Sequence, residues 1–168
     1  MKHALWLRAD DDSLDAASLV DLGAEAAANG WDGVFVSDSL RHAQYPDPWV
    51  VLAGIAARTD DVTLGTWVVP LPRRQPWQVA QEVATLDVLS GGRVLLGAGL
   101  GNAGDYEAYG REYEPRRLAT RLEETLDVVV GLWGDEPFSY DGECFTLDEA
   151  TVRPRPVQRP RVPIVFGG

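Results

Sequence analysis

The stretch SGGRVLLGAGLGN, residues 90–102, decides the fold class of this chain. A diglycine turn leads into an apolar run at 94–96, and Gly97, Gly99 and Gly101 then occupy every second position. An apolar run bounded by glycine predicts a buried strand. The glycines after it fit either a turn or bulge without a ligand, or a place where the backbone approaches a bound group. The stretch alone favours the turn.

A dinucleotide-binding fingerprint is another explanation of these glycines, and their spacing argues against it. The fingerprint reads G-x-G-x-x-G between a strand and a helix, with an acidic residue at the end of the next strand. Here the order is G-x-G-x-G-N, and no such strand follows at the expected distance. The glycines are therefore predicted to open onto a loop.

Short apolar strands and amphipathic helices alternate on both sides of this stretch. Apolar periodicity predicts core strands at residues 5–7, 33–38, 62–70, 93–99 and 164–166, and helices at 15–28, 48–58, 76–89 and 115–133. Strands that are apolar on both faces and alternate with helices indicate a parallel sheet wrapped by helices. The sequence therefore predicts an α/β fold.

One segment departs from this alternation. FSYDGECFTL, residues 138–147, places Asp141-Gly142 between two alternating runs, which is a strong local signal for a β-hairpin. A proline-rich linker, residues 153–163, then leads into the last predicted strand. We interpret the hairpin as an insertion in a single domain that covers residues 1–168.

Composition and charge exclude several function classes. The chain has 168 residues, 45% of them hydrophobic, with a formal net charge of −11. This charge opposes general binding to nucleic acid or to an anionic membrane. Cys144 is the only cysteine, which excludes an intramolecular disulfide and a thiolate metal cluster. The N-terminus turns acidic too early for a signal peptide, so we expect a cytoplasmic protein.

Four stretches together resemble the luciferase-like monooxygenase family, the flavin- or deazaflavin-dependent oxidoreductases built on a (β/α)8 barrel. They are GWDGVFVSDSL, DPWVVLAGIAARTDDVTLGTWVVPLPRRQPW, ATLDVLSGGRVLLGAGLGN and RPRPVQRPRVPIVFGG, in the order and spacing of the family. The resemblance implies a partial TIM (β/α)8 barrel of about five parallel strands, with helices and the inserted hairpin. It also implies an oxidoreductase that uses coenzyme F-420, a deazaflavin, or FMN.

The resemblance gives the strand ends a function, because barrels of this kind carry their active site at the C-terminal ends of the strands. It implies that Asp38 bonds to the cofactor ring or orients a substrate, although the residue also suits the cap of a polar turn. Trp67-Val68 falls where the family often has a bulge with a non-prolyl cis peptide behind the ring. The implied cofactor-binding residues are Trp67, Val68, Gly99, Gly101, Asn102, Gly167 and Gly168.

Several positions depart from the family pattern or leave alternatives open. Ser39 stands where many members have a histidine, which removes an imidazole acid or base, and the nearby His42 is expected to be solvated. Arg73 and Arg74 fit either a site for an anionic tail or a solvated surface pair. Trp67 fits either a cap on the ring or a core residue. No metal-binding residues are predicted.

The sequence supplies fewer predicted strands than a complete barrel contains. A complete barrel has eight strands and about 250 residues, whereas this sequence supplies five core strands. Open sheet edges tend to pair with another chain, so we expect a homo-oligomer, at least a dimer. The leading hypothesis is hydride transfer or oxygen activation on a small-molecule substrate that the sequence does not identify. The alternative is a catalytically silent half-barrel that acts by association with another chain.

Overall fold

A computed structural model describes residues 1–8, 14–40 and 46–167. His42 and Gly168 lie outside these residues. The strands are β1 (Ala4–Leu7), β2 (Gly33–Val36), β3 (Thr63–Thr66), β4 (Val69–Pro70), β5 (Val94–Gly99), β6 (Phe138–Asp141), β7 (Thr146–Ala150) and β8 (Ile164–Phe166). The helices are α1 (Ala16–Ala28), α2 (Pro48–Ala56), α3 (Pro76–Ser90), α4 (Ala103–Glu107) and α5 (Pro115–Leu132), with a 3-10 turn at Leu71–Arg73.

The core is a parallel sheet in which β1, β2, β3 and β5 lie side by side, and β8 pairs with β5. The short β4 pairs with the end of β5, and β3 pairs with its beginning. Strands β3 and β4 are therefore two pieces of one strand position, and the sheet has five such positions. This confirms the predicted α/β fold with about five parallel strands.

Helices cover one face of this sheet. Helices α1, α2, α3 and α5 follow one another around it, each packed against the next. Leu7, Val34, Val36, Leu64 and Leu96 point into the layer between sheet and helices and are buried. Their burial removes apolar surface from water, which is the main driving force for folding. The opposite face carries Trp6, Phe35, Gly65 and Leu95 in register, and we call it the inner face.

Local sequence signals set the helix boundaries. The carboxylate of Asp15 accepts from the N–H of Ser18 at the start of α1, and that of Asp47 accepts from Trp49 at the start of α2. Such caps satisfy N–H groups that have no partner inside the helix. Proline occupies the first turn of α2, α3 and α5, as is typical of helix starts. Gly91 ends α3 with φ +68, in the left-handed region that favours glycine.

The two irregular segments are held by buried carboxylates. Glu124 on α5 accepts from the backbone N–H groups of Glu143, Cys144 and Phe145 in the turn of the β6–β7 hairpin. Asp87 on α3 accepts from the N–H groups of Val157 and Gln158 in the proline-rich linker. The hairpin is confirmed as an excursion from the parallel sheet.

No helix in the described part of the chain is long and apolar enough to cross a membrane.

The third strand position is interrupted by a bulge, which the periodicity of residues 62–70 does not reveal. Gly65 pairs with Leu95 and Val69 pairs with Ala98, so four steps on one strand face three steps on the other. One extra residue in a strand defines a β-bulge. The bulge falls at Trp67-Val68, whose peptide bond is cis. Its position is the one that the family resemblance implies.

The backbone of β5 lies against the beginning of this bulge. The Thr66 hydroxyl donates to the Gly97 carbonyl at 2.9 Å and accepts from the Gly97 N–H at 3.1 Å. A Cβ atom at Gly97 would overlap the carbonyl oxygen of Thr66. Glycine at position 97 is therefore required by a contact between two backbones.

We expect Gly97→Ala to lower the free energy of unfolding by about 3 kcal/mol or more, because a backbone carbonyl cannot rotate away from the added methyl group. Gly110→Ala is the matched control, since Gly110 has φ +68 and open space around its Cβ position. It should cost only about 1 kcal/mol of backbone strain. Urea unfolding followed by circular dichroism measures both, and equal losses would contradict the backbone contact.

Candidate active site

The C-terminal ends of the parallel strands gather the candidate residues at one edge of the sheet. Ser37 and Asp38 follow β2, the bulge follows β3, and the 3-10 turn Leu71–Arg73 follows β4. Asn102 lies shortly after β5, and Gly167 follows β8 directly. Backbone hydrogen bonds extend the sheet here, from the N–H of Ser37 to the carbonyl of Leu7 and from Gly167 to Ala98. In parallel β/α folds, ligands bind at this edge.

Asp38 lies between two arginines. Arg73 Nη2 donates to Asp38 Oδ1 at 2.7 Å, and Arg74 donates to Asp38 Oδ2 from Nε at 3.2 Å and from Nη2 at 3.1 Å. Only 5% of the Asp38 side chain and 9% of the Arg73 side chain are exposed. The interpretation of the arginines as a solvated surface pair is therefore wrong. The carboxylate of Asp38 accepts from these guanidiniums, and no N–H group in the described part of its turn donates to it.

Further carboxylates surround the same arginines. Arg74 Nη2 donates to Asp47 Oδ2 at 3.0 Å, and Arg74 Nη1 lies 3.6 Å from Glu82 Oε2. Arg73 Nη1 lies 3.7 Å from Asp105 Oδ2 and makes no hydrogen bond to any residue that the structure describes. Among the described residues of this cluster, four carboxylates thus face two guanidiniums, and their formal charges sum to −2. Burial raises the pKa of Glu82, and the charge of Arg74 offsets part of that rise.

Asp105 joins the ends of β2 and β5. Its Oδ1 accepts from the hydroxyl of Ser39 and the N–H of Leu40, both at 2.9 Å, and its Oδ2 accepts from Asn102 Nδ2 at 3.0 Å. Burial raises the pKa of the neighbouring Tyr106 to about 12, and its hydroxyl donates to the carbonyl of Leu100 at 2.6 Å. Tyr106 is therefore neutral at pH 7. The side chains of Asp105 and Tyr106 thus hold the loop after β5 in place.

Val68 explains two of the glycines that the sequence singled out. A Cβ atom at Gly99 or at Gly167 would lie 2.6 Å from a methyl group of Val68. A Cβ atom at Gly101 would lie 2.8 Å from Pro70, and Gly101 also has φ +80. The glycines thus make room for the bulge and for the residues that follow it. These positions carry no side chains because atoms of Val68 and Pro70 occupy the space that a Cβ atom would take.

Trp67 lies on the inner face and is 43% exposed. The interpretation of this residue as a buried core residue is therefore wrong. Its ring contacts Phe35 edge-on, with the ring centroids 6.1 Å apart. Trp6 is 47% exposed on the same face, and its Nε1 donates to the hydroxyl of Ser37 at 2.7 Å. The inner wall next to the bulge is therefore aromatic.

The structure brings most of the sequence-predicted residues to this one edge, namely Asp38, Trp67, Val68, Gly99, Gly101, Asn102 and Gly167. Gly168 lies outside the described residues, and so does His42. Sequence reasoning missed Asp105 and the aromatic pair Trp6 and Phe35. Asp105 lies in a short helix without apolar periodicity. The aromatic residues gave a usable signal, because strand alternation places them opposite the helix-facing positions.

Comparison with known proteins identifies the family. The pattern of the luciferase-like monooxygenases matches residues 2–168, and the chain belongs to that family. A relative from Microbacterium testaceum, named F420-dependent glucose-6-phosphate dehydrogenase, is 36% identical over 170 residues, which cover 95% of this chain and 49% of the relative. The chain thus spans about half the length of the curated relatives that it matches.

Solved structures agree with this fold. An F420-dependent secondary alcohol dehydrogenase, in complex with an F420-acetone adduct, superimposes with a TM-score of 0.86 at 27% identity, covering all of this chain and 53% of that one. The oxygenating constituent of 3,6-diketocamphane monooxygenase from Pseudomonas putida, in complex with FMN, gives a TM-score of 0.85 at 19% identity, covering 99% and 51%. The second likeness concerns the fold alone. The partial (β/α)8 architecture implied by the sequence is confirmed.

The Asp38 ion pairs generate a stability prediction. We expect Asp38→Asn to lower the free energy of unfolding by roughly 2–4 kcal/mol, because an amide in place of the carboxylate weakens three charge-assisted hydrogen bonds from partly buried guanidiniums and turns an NH2 group toward one of them. Asp21→Asn is the control, since the Asp21–Arg58 pair is exposed and should contribute less than about 1 kcal/mol. Urea unfolding of both variants measures the difference. A loss for Asp38→Asn no larger than that of the control would contradict the role of the buried pair.

Proposed function

We propose that this chain forms the cofactor-ring site of an oxidoreductase that uses coenzyme F-420 or FMN. The observation that carries the proposal is the Trp67-Val68 bulge, seated on Gly99 and Gly167 at the C-terminal edge of the sheet, in a chain of the luciferase-like family. The relative and the dehydrogenase structure described above favour F-420 over FMN. The proposed reaction is hydride transfer or oxygen activation on a small organic molecule in the cytoplasm.

The residues at this edge fit the flat ring of such a cofactor. Ligand sites combine an apolar wall with a few polar groups that fix orientation. Trp67 and Val68 are partly exposed and supply an apolar wall, with Gly99, Gly101 and Gly167 beside them. Asn102 and Asp38 supply the polar groups. When bound, the cofactor supplies the hydride or oxygen chemistry, and these residues supply its position.

Asp38 retains capacity for a contact to the ring or the substrate. A carboxylate offers about four acceptor sites, and the arginines occupy three of them. Among the described residues no further side chain or N–H donates to Asp38, which leaves one site on Oδ1 for a donor on the cofactor or the substrate. In this proposal Asp38 is the catalytic residue, and Arg73 and Arg74 fix the direction of its carboxylate.

Arg73 and Arg74 do not fit the phosphate group of the cofactor in the same way. Arg73 and Arg74 were the candidates for an anionic tail, and both are held by carboxylates. The net negative charge of the cluster opposes an anion at this place. The proposal therefore assigns ring recognition, and not phosphate recognition, to this part of the barrel.

Titration of the chain with riboflavin, FMN and F-420, followed by cofactor fluorescence, tests this division. A charge-assisted hydrogen bond to a phosphate is worth about 1.5–3 kcal/mol, so a phosphate site would favour FMN over riboflavin by about tenfold or more. We expect riboflavin and FMN to bind alike, with micromolar or weaker affinity. A tenfold preference for FMN, or submicromolar binding, would contradict the division.

Two tryptophan variants show whether the ring binds at the bulge. Trp67→Ala should weaken binding of all three compounds by about tenfold, because it removes an aromatic wall. Trp77→Ala is the matched control, since Trp77 is exposed to the same extent but packs against Phe145 near the hairpin. Absence of binding by all three compounds would contradict the proposed function.

Association with another chain is the second candidate function. Strands β1 and β8 each have one described pairing partner, β2 and β5 respectively, and therefore lie at the edges of the sheet. A groove of about 750 Å³ also lies between α5, the hairpin and β8, lined by Leu126, Val130, Phe138, Ile164 and Phe166. Open edges beside apolar surface favour pairing with another copy or another chain.

The association proposal predicts a dimer or a larger oligomer of the purified chain. Light scattering coupled to size-exclusion chromatography at micromolar concentration measures its mass. Phe166→Lys should shift the distribution toward monomer, because it places a charge on an apolar edge. A native chain that elutes as a monomer over the whole concentration range would contradict self-association.

A further inference from the structure

We infer that Asp105 is a positioning residue of this site. It orients the amide of Asn102 so that the carbonyl oxygen of that amide accepts a hydrogen bond from the imide N–H of the cofactor ring. The inference rests on the proposed function, because it names the part of the ring that the site recognises. Two observations carry it: the hydrogen bond between these two side chains, and the acceptors that remain free at the same edge of the sheet.

The hydrogen bond between Asn102 and Asp105 determines which atom of the amide stays free. Asn102 Nδ2 lies 3.0 Å from Asp105 Oδ2. An ionised carboxylate only accepts hydrogen bonds, so the NH2 group of the amide, and not its carbonyl group, must face Asp105. The carbonyl oxygen Oδ1 of Asn102 is therefore the free atom, and no residue that the structure describes donates to it.

Asn102 directly precedes α4, where an asparagine side chain usually caps the helix. In such a cap the side-chain oxygen accepts from an N–H group of the first turn. Here the N–H of Asp105 donates to the backbone carbonyl of Asn102 at 3.1 Å, and the side chain of Asn102 makes no cap. Asn102 is also exposed. Its side-chain oxygen is thus available to a ligand, and the contact needs no N–H group of the helix.

Asp105 is itself held in place by its surroundings. Its side chain is buried, and its Oδ1 accepts from the Ser39 hydroxyl and the Leu40 N–H, both at 2.9 Å. On the other side, Arg73 Nη1 lies 3.7 Å from Oδ2, while Arg73 Nη2 donates to Asp38 at 2.7 Å. One guanidinium therefore lies between Asp105 and Asp38. Because Asp105 cannot turn without losing these contacts, the amide that it holds is oriented before a ligand binds.

The side-chain atoms that remain free at this edge are acceptors. Among the described residues, the hydroxyls of Ser39 and Tyr106 donate to protein oxygens, and Arg74 donates to carboxylates. What remains is Oδ1 of Asn102 and one site on Oδ1 of Asp38. A ligand that contacts these oxygens must supply donors, because an acceptor that loses water without gaining a donor weakens binding.

The cofactor ring has one group that fits such an acceptor. Flavin and deazaflavin rings share an imide, which is an N–H between two carbonyl groups. The two carbonyl oxygens are repelled less by a neutral amide than by a carboxylate. We therefore assign the imide to Asn102 and leave Asp38 to the reacting part of the ring or to the substrate.

Fluorescence titration with riboflavin and 3-methylriboflavin tests the inference, because the second compound has a methyl group in place of the imide hydrogen. We expect the native chain to bind riboflavin about tenfold more tightly, since methylation leaves the oxygen of Asn102 without a donor. Asn102→Ala should reduce this preference to about twofold or less. Asp105→Asn should do the same, because an amide at position 105 no longer determines which way Asn102 turns. Equal binding of both compounds by the native chain would overturn the inference.

Two further variants separate orientation from folding. Asp87→Asn is the matched control, since Asp87 is also a buried carboxylate but holds the proline-rich linker, and it should leave the preference at about tenfold. Asn102→Ala combined with Asp105→Asn should show the same preference as Asn102→Ala alone, because Asp105 acts through Asn102. A preference that stays tenfold in Asp105→Asn, or that falls equally in Asp87→Asn, would overturn the positioning role.

The side-chain amide of Asn102 tests the orientation without any ligand and without the Asp105 variant. Its NMR signals are identified by their absence from the spectrum of Asn102→Ala. We expect its hydrogens to exchange with water about tenfold more slowly than those of asparagine in a short peptide, because Asp105 holds the NH2 group. Exchange as fast as in the peptide would overturn the orientation, even if Asp105→Asn does not fold.

The two measurements together distinguish failure of the inference from failure of the proposed function. Binding of both flavins with equal affinity would overturn the inference alone, because the ring would still bind. Slow exchange of the Asn102 amide in a chain that binds neither flavin would contradict the proposed function and support the orientation of the amide. A tenfold preference that depends on Asn102 and Asp105 supports the two together.

Discussion

The close approach of Gly97 to Thr66 is the contact on which the rest of the site depends. It lets the Thr66 hydroxyl bond to both the N–H and the carbonyl of Gly97, which joins the two strands just before the bulge. The bulge then directs Val68 between Gly99 and Gly167. Because β8 is held beside β5 at the same level, this one close approach of two backbones orders three strand ends. The surface that these strand ends present to a ligand therefore depends on the contact between Gly97 and Thr66.

The parts of the fold that the sequence predicted are those with a repeating pattern. The apolar runs of the strands and the helical spacing of α1, α2, α3 and α5 reappear with boundaries shifted by one or two residues at most for the helices. The interruption at Trp67-Val68 has no such pattern, since residues 62–70 read as one strand, and only the family resemblance pointed to it. Helix α4 is five residues long, which is too short for periodicity to show.

The sequence predicted where the residues of the candidate site lie, but not which side chains they contact. Strand alternation and parallel pairing bring Asp38, Val68, Gly99 and Asn102 to one edge, and the sequence suffices for that. The partners of Asp38 lie 35 and 36 residues away along the chain, and no local signal links them. The exposure of two side chains could not be predicted from the sequence either. Arg73 is buried because it contacts a carboxylate that is distant along the chain, and Trp67 is exposed because it lies on the inner face.

Glu124 binds backbone N–H groups of the hairpin turn, whereas Asp87 binds backbone N–H groups of the linker and also accepts from Nε2 of the Gln158 side chain. A carboxylate that recognises N–H groups accepts almost any residue at the position it holds, provided that the residue is not proline. The hairpin turn can therefore change in sequence at residues 143–145 while its attachment point stays constant, whereas the attachment of the linker also depends on the side chain at position 158. Substitutions at these turn positions would thus change the surface beside a barrel of this kind without disturbing the strands, because Glu124 contacts the main chain there.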